Sequence, residues 1–474
     1  MNIVSSLIWK FLERGGVQVT QFIVSIIIAR LLVPADYGAV ALLMIFISIA
    51  TVFVQSGLNT ALVQKKDADE VDITSVFYYS IGLSAIIYLC LFLCAECIAD
   101  FYGMPDLIIL LRVLALTLFP GALNSLQIAI LSKRMMFKKQ FYSSMAAAIV
   151  SGVMGILMAY NGYGAWALVG QQLSYQIVVC IVLLLLVDWH PKFIFSFNRT
   201  KSLLSFGVKL LGARLIDTVY HNLESLIIGK MFSAETLAFC NKGKQFPLTL
   251  IDNIDGSVQS VMLPAYSAKQ DDLSSVKQLL RKTISLSTYL VFPAMFLLAV
   301  SGEPIIYLLL GSKWLNSVPY LQLFCIMAML FPLQTANLQA INALGRSDVY
   351  LKLMTLKRSI GLVLLLVSVF IWYSPFAVIV AALVVEILAI LVNVPSNYKI
   401  LGYSLKEMLC DIVPNLLISV IMGIICYFVL FVIHNMFFAL MIQIILGSVS
   451  FILLSLVFKS TNLKYIINLI KKNE

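Results

Sequence analysis

Residues 30–38 read RLLVPADYG, and residues 230–238 read KMFSAETLA. Each stretch ends one long apolar run with a basic residue, makes a short turn and enters another apolar run. A second pair of segments, 119–134 and 331–346, begins with Phe-Pro and carries Gln and Arg at matching places, 212 positions apart. These pairs indicate that the chain is an internal duplication, which predicts two lobes with a cleft between them.

The composition places this duplication in a membrane. The mean hydropathy is +0.98 and only 12% of the residues are charged, which excludes a soluble globular protein. The net charge of +10 would otherwise suggest nucleic acid as a partner. Because the basic residues lie in short segments beside apolar runs, we expect no nucleic-acid binding.

Apolar runs long enough to cross a bilayer recur along the whole chain. We predict an all-α polytopic membrane protein with about 14 transmembrane helices. The predicted spans are 10–31, 37–63, 74–98, 106–131, 141–160, 165–187, 202–229, 235–265, 281–301, 318–344, 349–373, 375–393, 410–433 and 436–458.

The basic residues alternate between the loops that join these spans. Most of the 33 Lys and Arg residues lie in every second loop and at the two ends, whereas the outer segments near 99–106, 161–164, 373–375 and 434–436 contain none. Positive residues mark the cytoplasmic side. The pattern therefore predicts a multi-pass protein of a cytoplasmic membrane with both termini in the cytoplasm.

The repeat divides the predicted spans into domains. Residues 1–187 form the first lobe, with spans 1–6, and residues 202–393 form the second, with spans 7–12. The segment 188–201 between them is rich in aromatic and basic residues, which favours a linker in the cytoplasmic interface. Residues 394–474 add spans 13–14 and a basic cytoplasmic tail.

Four segments resemble a known family: 28–38, 55–66, 228–237 and 261–267. They are similar to the polysaccharide flippases of the multidrug/oligosaccharidyl-lipid/polysaccharide exporter superfamily, in the branch for colanic-acid, teichuronic-acid and O-antigen type repeat units. The resemblance covers nearly the whole chain and is more specific for the family than for the substrate. It departs at residues 238–241, Ala-Phe-Cys-Asn, where the family has a tyrosine-rich run.

The resemblance implies a V-shaped fold of two six-helix lobes around a central cleft, with two extra C-terminal helices. It implies a bacterial inner-membrane flippase that works by alternating access. The cargo would be an isoprenoid-pyrophosphate-linked oligosaccharide, moved from the inner to the outer leaflet for a surface polysaccharide such as a lipopolysaccharide or an exopolysaccharide. Expected partners are this lipid-linked oligosaccharide, membrane lipids and the polysaccharide polymerase and export machinery.

Polar and charged side chains within the spans are the candidate site, because burying them in a bilayer is costly. Spans 1, 2, 7 and 8 line the cleft in the resembled family, and cationic and amide groups suit a pyrophosphate and a sugar. The candidates for substrate binding are Arg14, Gln18, Gln55, Asn59, Lys209, Arg214, Lys244 and Gln245. Packing and snorkelling compete with this interpretation, above all for Arg14 and Lys244.

Intramembrane acids are candidates for ion coupling. Asp217, His221 and Glu224 share a helix face with Arg214, and Asp252 and Asp255 share one in the next span. Arg214 and Asp217 could instead neutralise each other. The chain has no nucleotide-binding Gly-Lys loop, so we expect no cofactor. A H⁺ gradient, a Na⁺ gradient and the membrane potential remain open as driving forces.

Three alternatives compete with this function. A cation-coupled drug antiporter of the same superfamily would need an acid-rich cleft, and a peptidoglycan-precursor flippase would carry a closely similar cargo. An integral-membrane polymerase would need a large outer loop with catalytic groups, whereas the longest outer loop is about 302–317. We therefore expect a transporter that has no catalytic residues and no metal site, not an enzyme.

Overall fold

The computed structural model describes residues 3–55, 58–65, 69–192 and 194–473. In these ranges all regular secondary structure is helical. The α-helices are α1 (Ile3–Leu31), α2 (Pro34–Gln55), α3 (Leu58–Gln64), α4 (Glu70–Tyr102), α5 (Leu107–Leu114), α6 (Leu118–Lys133), α7 (Phe137–Tyr160), α8 (Ala165–Leu186), α9 (Phe197–Met231), α10 (Ala234–Ser267), α11 (Leu273–Val300), α12 (Gly302–Leu310), α13 (Val318–Ala343), α14 (Ser347–Val367), α15 (Pro375–Leu401), α16 (Leu405–Val432), α17 (Met436–Val457) and α18 (Thr461–Asn473).

Within the described residues every predicted span coincides with helical structure, and the all-α polytopic membrane class is confirmed. Across the described ranges, 11 helical segments are long and apolar enough to cross a membrane. The helices α1, α9 and α10 are not among them, although each has more than 28 residues, because they carry the charged candidate residues or are described only in part. The count of 14 spans therefore stays a prediction.

Two helices were not predicted. The short helix α12 lies in the expected outer loop, and α18 lies in the expected cytoplasmic tail. In the sequence of α18, Lys464, Lys471 and Lys472 recur at helical spacing among apolar residues, which predicts an amphipathic helix.

The chain divides into two compact units, one ending at Ala238 and the other beginning at Phe239. In unit 1, α7 packs against α1 and α8, and α2 packs along α9. In unit 2, α11 packs against α13 and α16, and α13 against α15. The predicted lobe and linker boundaries, 1–187, 188–201, 202–393 and 394–474, stay a prediction.

The turns between helices fix the register of the internal repeat. Met135 (φ 54°) and Met136 (φ −90°, ψ 53°) precede α7, and Gly345 (φ 72°) and Arg346 (φ −89°, ψ 54°) precede α14 in the same conformations. Both pairs are 210 positions apart. The sequence match at 212 is therefore wrong by two residues in this part of the repeat, because apolar helices match one another in several registers.

The two turn motifs that begin the repeats meet within unit 1. A Cβ on Gly38 in α2 would lie 1.8 Å from the backbone oxygen of Ala234, the first residue of α10. A Cβ on Gly229, near the end of α9, would lie 2.2 Å from the side chain of Leu42. Glycine at these positions lets the helices approach closely.

Candidate functional site

A cavity of about 490 Å³ lies within unit 1. Its walls come mainly from α2, α6 and α8, with single residues of α5, α7 and α9 and with Thr117 between α5 and α6. Among the described residues that line it, the polar ones are neutral: Ser48, Thr51, Gln55, Thr117, Asn124, Ser125, Ser144, Gln172, Tyr175, Gln176 and Thr218. Hydroxyl and amide groups can both donate and accept hydrogen bonds, so the cavity suits a ligand with many hydroxyl groups.

Helical spacing brings these groups together. Ser48, Thr51 and Gln55 are three and four residues apart on α2, and Gln172, Tyr175 and Gln176 share a face of α8 in the same way. Otherwise these helices are strongly apolar. An apolar helix with a polar stripe buries that stripe against its neighbours, away from lipid.

Two hydrogen bonds from Asn124, which we call the clamp, connect two helices of the cavity wall. The amide Nδ2 of Asn124 donates to the backbone oxygen and to Oε1 of Gln176, each at 2.9 Å. The clamp joins α6 to α8 and fixes the orientation of the Gln176 side chain. Beside it, Gly121 leaves space, because a Cβ there would meet no heavy atom within 4 Å.

The structure brings two predicted residues of α2 and α3 to this cavity. Gln55 lines it, and Asn59 donates from Nδ2 to Oγ of the lining residue Ser125 at 2.9 Å. Gln18 is half-buried in α1 and does not line the cavity. The side chain of Arg14 lies outside the described residues.

The predicted charged face of α9 lies next to the cavity. Thr218 lines the cavity, and Asn222 donates to Oγ of Ser48 at 3.3 Å. Arg214 is exposed about one helical turn before Thr218, and Asp217 Oδ1 lies 3.7 Å from Nε2 of His221 on the same face. Glu224 follows on this face and is half-buried, whereas the side chain of Lys209 lies outside the described part of the helix.

The remaining candidates lie on α10, within unit 2. Gln245 accepts a hydrogen bond from Nζ of Lys242 at 3.2 Å, and Nζ of Lys244 lies 5.5 Å from the ring centroid of Phe324. Asp252 is exposed. The side chain of Asp255 is not among the described ones.

Most residues of the cavity wall were not predicted from the sequence, because the predicted site residues were mainly charged. Ser48 and Thr51 are three apart in one apolar helix and Gln172 and Gln176 four apart in another, and that spacing is a usable signal. In the described part of the chain, no three His, Cys, Asp or Glu side chains come together as metal ligands would.

Unit 1 thus combines a membrane-embedded helix bundle with a neutral polar cavity and an adjacent charged helix face. The chain belongs to the family described as "polysaccharide biosynthesis protein", whose model matches residues 27–319. This bears out the resemblance to polysaccharide flippases of the exporter superfamily.

Three known proteins illustrate the relationship. The succinoglycan biosynthesis transport protein ExoT of Rhizobium meliloti (strain 1021) is 26% identical over 67% of this chain and 64% of its own length. The teichuronic acid biosynthesis protein TuaB of Bacillus subtilis (strain 168) is 24% identical over 63% of this chain and 62% of its own. The chain thus spans a little under two thirds of each relative. The structure of the lipid II flippase MurJ, in an inward closed conformation, superposes with a TM-score of 0.75 at 16% identity, covering 96% of this chain and 98% of that one.

Proposed function

We propose that this protein is a flippase that moves an isoprenoid-pyrophosphate-linked oligosaccharide from the inner to the outer leaflet of a bacterial cytoplasmic membrane. The observation that carries the proposal is the neutral polar cavity inside an apolar helix bundle of a polysaccharide biosynthesis family member. Groups of this kind are costly within a membrane unless they are hydrogen-bonded, and a polar ligand can supply the bonds that the protein does not.

The cavity would take the sugar. Its volume of about 490 Å³ falls in the range of small-molecule sites, which is about 300–1,000 Å³. A neutral lining of hydroxyl and amide groups matches the hydroxyl groups of a sugar and offers no charge to attract a drug cation. This favours the oligosaccharide over the cationic cargo of an antiporter.

The pyrophosphate would be held by cations next to the cavity. Arg214 is exposed on the α9 face beside Thr218, where a guanidinium can bind phosphate oxygens through charge-assisted hydrogen bonds. We assign Arg14, Lys209 and Lys244 to the same anion site, and Gln18 and Gln245 to contacts with the sugar. The isoprenoid tail would stay in the bilayer.

Transport would follow alternating access, without chemistry on the cargo. Asp217, His221, Glu224, Asp252 and Asp255 are the proposed groups for coupling to a H⁺ or Na⁺ gradient, and in the first pair Oδ1 of the half-exposed Asp217 lies 3.7 Å from Nε2 of His221. We place both termini in the cytoplasm, and the cargo would pass to a polysaccharide polymerase and export machinery.

The test is the leaflet location of the lipid-linked oligosaccharide in cells with and without the protein. Its deletion should trap the intermediate on the cytoplasmic side, and re-expression should restore access from outside. Cells that lack any redundant flippase but still expose the intermediate normally would contradict the proposal, and drug and ion efflux would then be measured.

A further inference from the structure

A half-buried ion pair, in which the Lys357 side chain is 23% exposed, lies within unit 2, in the middle of two helices that are apolar enough to cross a membrane. Nζ of Lys357 on α14 lies 2.9 Å from Oε2 of Glu386 on α15 and 2.9 Å from Oε1 of Gln334 on α13. The Glu386 side chain is only 14% exposed, and Gln334 is buried. Two helices, α13 and α15, therefore each place one oxygen atom beside the ammonium group that α14 carries.

Gln334 also repeats the clamp of unit 1. Its Nε2 donates to the backbone oxygen of Glu386 at 3.1 Å and to the carboxylate Oε2 of the same residue. In unit 1, Asn124 makes the same two contacts to Gln176. Gln334 follows Asn124 by 210 positions, and Glu386 follows Gln176 by 210, which is the register set by the helix turns.

The residue that corresponds to Lys357 also differs between the two copies of the repeat. Lys357 follows Ala147 by the same 210 positions, and Ala147 is fully buried on α7. Between the two copies of the fold, Ala corresponds to Lys and Gln corresponds to Glu. A base and an acid thus appear together at equivalent places, so that the added charges compensate each other.

This arrangement has the features of a cation site. A carboxylate and an amide oxygen are ligands that alkali and other hard cations prefer, and a carboxylate inside a membrane requires a positive partner. We propose that Glu386 and Gln334 form a monovalent-cation site in which the ammonium of Lys357 is the resident cation, attached to the chain in place of a free Na⁺ or K⁺. This site is independent of the cargo proposed above.

The consequence is a defined response to salt. The wild-type protein needs no free alkali cation at Glu386, because Lys357 already supplies the charge. Lys357→Ala would leave the carboxylate uncompensated and open to a cation from solution. Lys357→Ala with Glu386→Gln would give unit 2 the neutral chemistry of unit 1, which leaves no charge to compensate.

The experiment compares Tm values of purified full-length protein in NaCl, KCl and choline chloride at equal ionic strength. We expect the Tm of Lys357→Ala to be lowered in choline chloride and raised by a few degrees in Na⁺ or K⁺. Wild type, the double variant and Lys352→Ala, an exposed lysine on the same helix, should have the same Tm in all three salts.

Three other results would contradict the proposed cation site at Glu386. A wild-type protein stabilised by Na⁺ as strongly as Lys357→Ala would mean that Lys357 does not occupy it. A Lys357→Ala protein that responds equally to all three salts would mean that the pair is only structural. If the single variant folds in no salt while the double variant folds, Glu386 accepts no free cation, and the proposal fails.

Discussion

At the scale of single residues, the cavity of unit 1 has space at Gly121. A Cβ there meets nothing within 4 Å, so the side chain of a leucine would extend into the space of the cavity. We expect Gly121→Leu to lose most of the transport of the lipid-linked oligosaccharide while the protein keeps its Tm. The measurement is the exposure of the intermediate on the outer leaflet, together with thermal unfolding.

Gly82→Leu is the matched control for this substitution. Gly82 is also helical and also has nothing within 4 Å of an added Cβ, but it lies on α4, outside this cavity, in a separate apolar pocket with Tyr78 and Leu83. This variant should transport like the wild type. Equal transport by both leucine variants would show that the cargo does not enter the cavity.

Arg214 offers a second test at this scale. Because its side chain is exposed, Arg214→Ala should leave the fold intact. Removing one charge-assisted contact to a phosphate, about 1.5–3 kcal/mol, should lower transport roughly 10- to 100-fold. Arg134→Ala, another exposed arginine of unit 1, is the control, and unchanged transport by Arg214→Ala would remove that residue from the site.

Single residues also show how far the sequence could predict the site. Gln55 and the charged face of α9 stand out because such groups are rare in apolar helices. Ser48 and Thr51 do not, because each hydroxyl can bond to its own helix, as it does here to the backbone oxygens of Ile45 and Ile47, each at 2.7 Å. A hydroxyl that can be satisfied locally gives no indication of whether it faces lipid, protein or a cavity.

At the scale of helices, hydropathy could not predict at which residue a helix with a polar N-terminal end begins. Helix α4 begins at Glu70, ahead of the predicted residue 74, because Asp69 caps it and forms a capping box with Asp72. Helix α11 begins at Leu273, ahead of residue 281, because Asp272 accepts hydrogen bonds from Ser274 and Ser275. Apolar composition identifies the part of a helix in the membrane, whereas caps decide where the helix starts.

The cap of α4 predicts a dependence on pH. The hydrogen bond from Arg199, followed by one from the Asp72 backbone, lowers the pKa of Asp69 to about 2 from its ordinary 3.8. Since the pKa is lower in the folded state, the stabilisation is present above about 3.8 and is lost as the pH falls through about 2. We expect Asp69→Asn, which can still cap the helix, to show a smaller fall in Tm between pH 4 and pH 2 than the wild type.

Arg199→Ala should reduce this fall in the same way, and the two substitutions together should add little to either one. Strictly additive effects, or an unchanged pH profile in Asp69→Asn, would show that the contact between Arg199 and Asp69 does not link the 188–201 segment to α4.

The close contact between Gly38 and Ala234 predicts how a single added methyl group changes the stability of the protein. In Gly38→Ala, the new Cβ would overlap the backbone of Ala234, which can move only if α2 and α10 separate. We expect a loss of stability of about 1–3 kcal/mol, as is typical of overpacking. Gly121→Ala, with open space, should instead gain roughly 0.5–1 kcal/mol from its helix propensity. Denaturant titration of both variants tests the contrast, and similar values would contradict the close approach.

At the scale of the whole molecule, the duplication was visible in the sequence, but its register in one part was not. The turn segments at residues 30–38 and 230–238 place the two copies 200 positions apart. The helices that follow these turns, α2 from Pro34 and α10 from Ala234, have the same offset. Later in the repeat, the backbone turns at Met135 and Gly345 give 210 where side-chain identities suggested 212. The same left-handed turn is made by Met135 in one copy and by Gly345 in the other, so the geometry is retained where the sequence signal is lost.

The predicted orientation can be tested across one helix. Asn161 lies in a predicted outer segment and Arg134 in a predicted inner one, both are exposed, and α7 joins them. With 24 residues, α7 is about 36 Å long, enough to cross a hydrocarbon core of about 30 Å. In a background without the eight native cysteines, a membrane-impermeant thiol reagent should label Asn161→Cys in intact cells and Arg134→Cys only after permeabilisation. The reverse pattern would place both termini outside, and labelling of both from outside would mean that α7 does not cross the membrane.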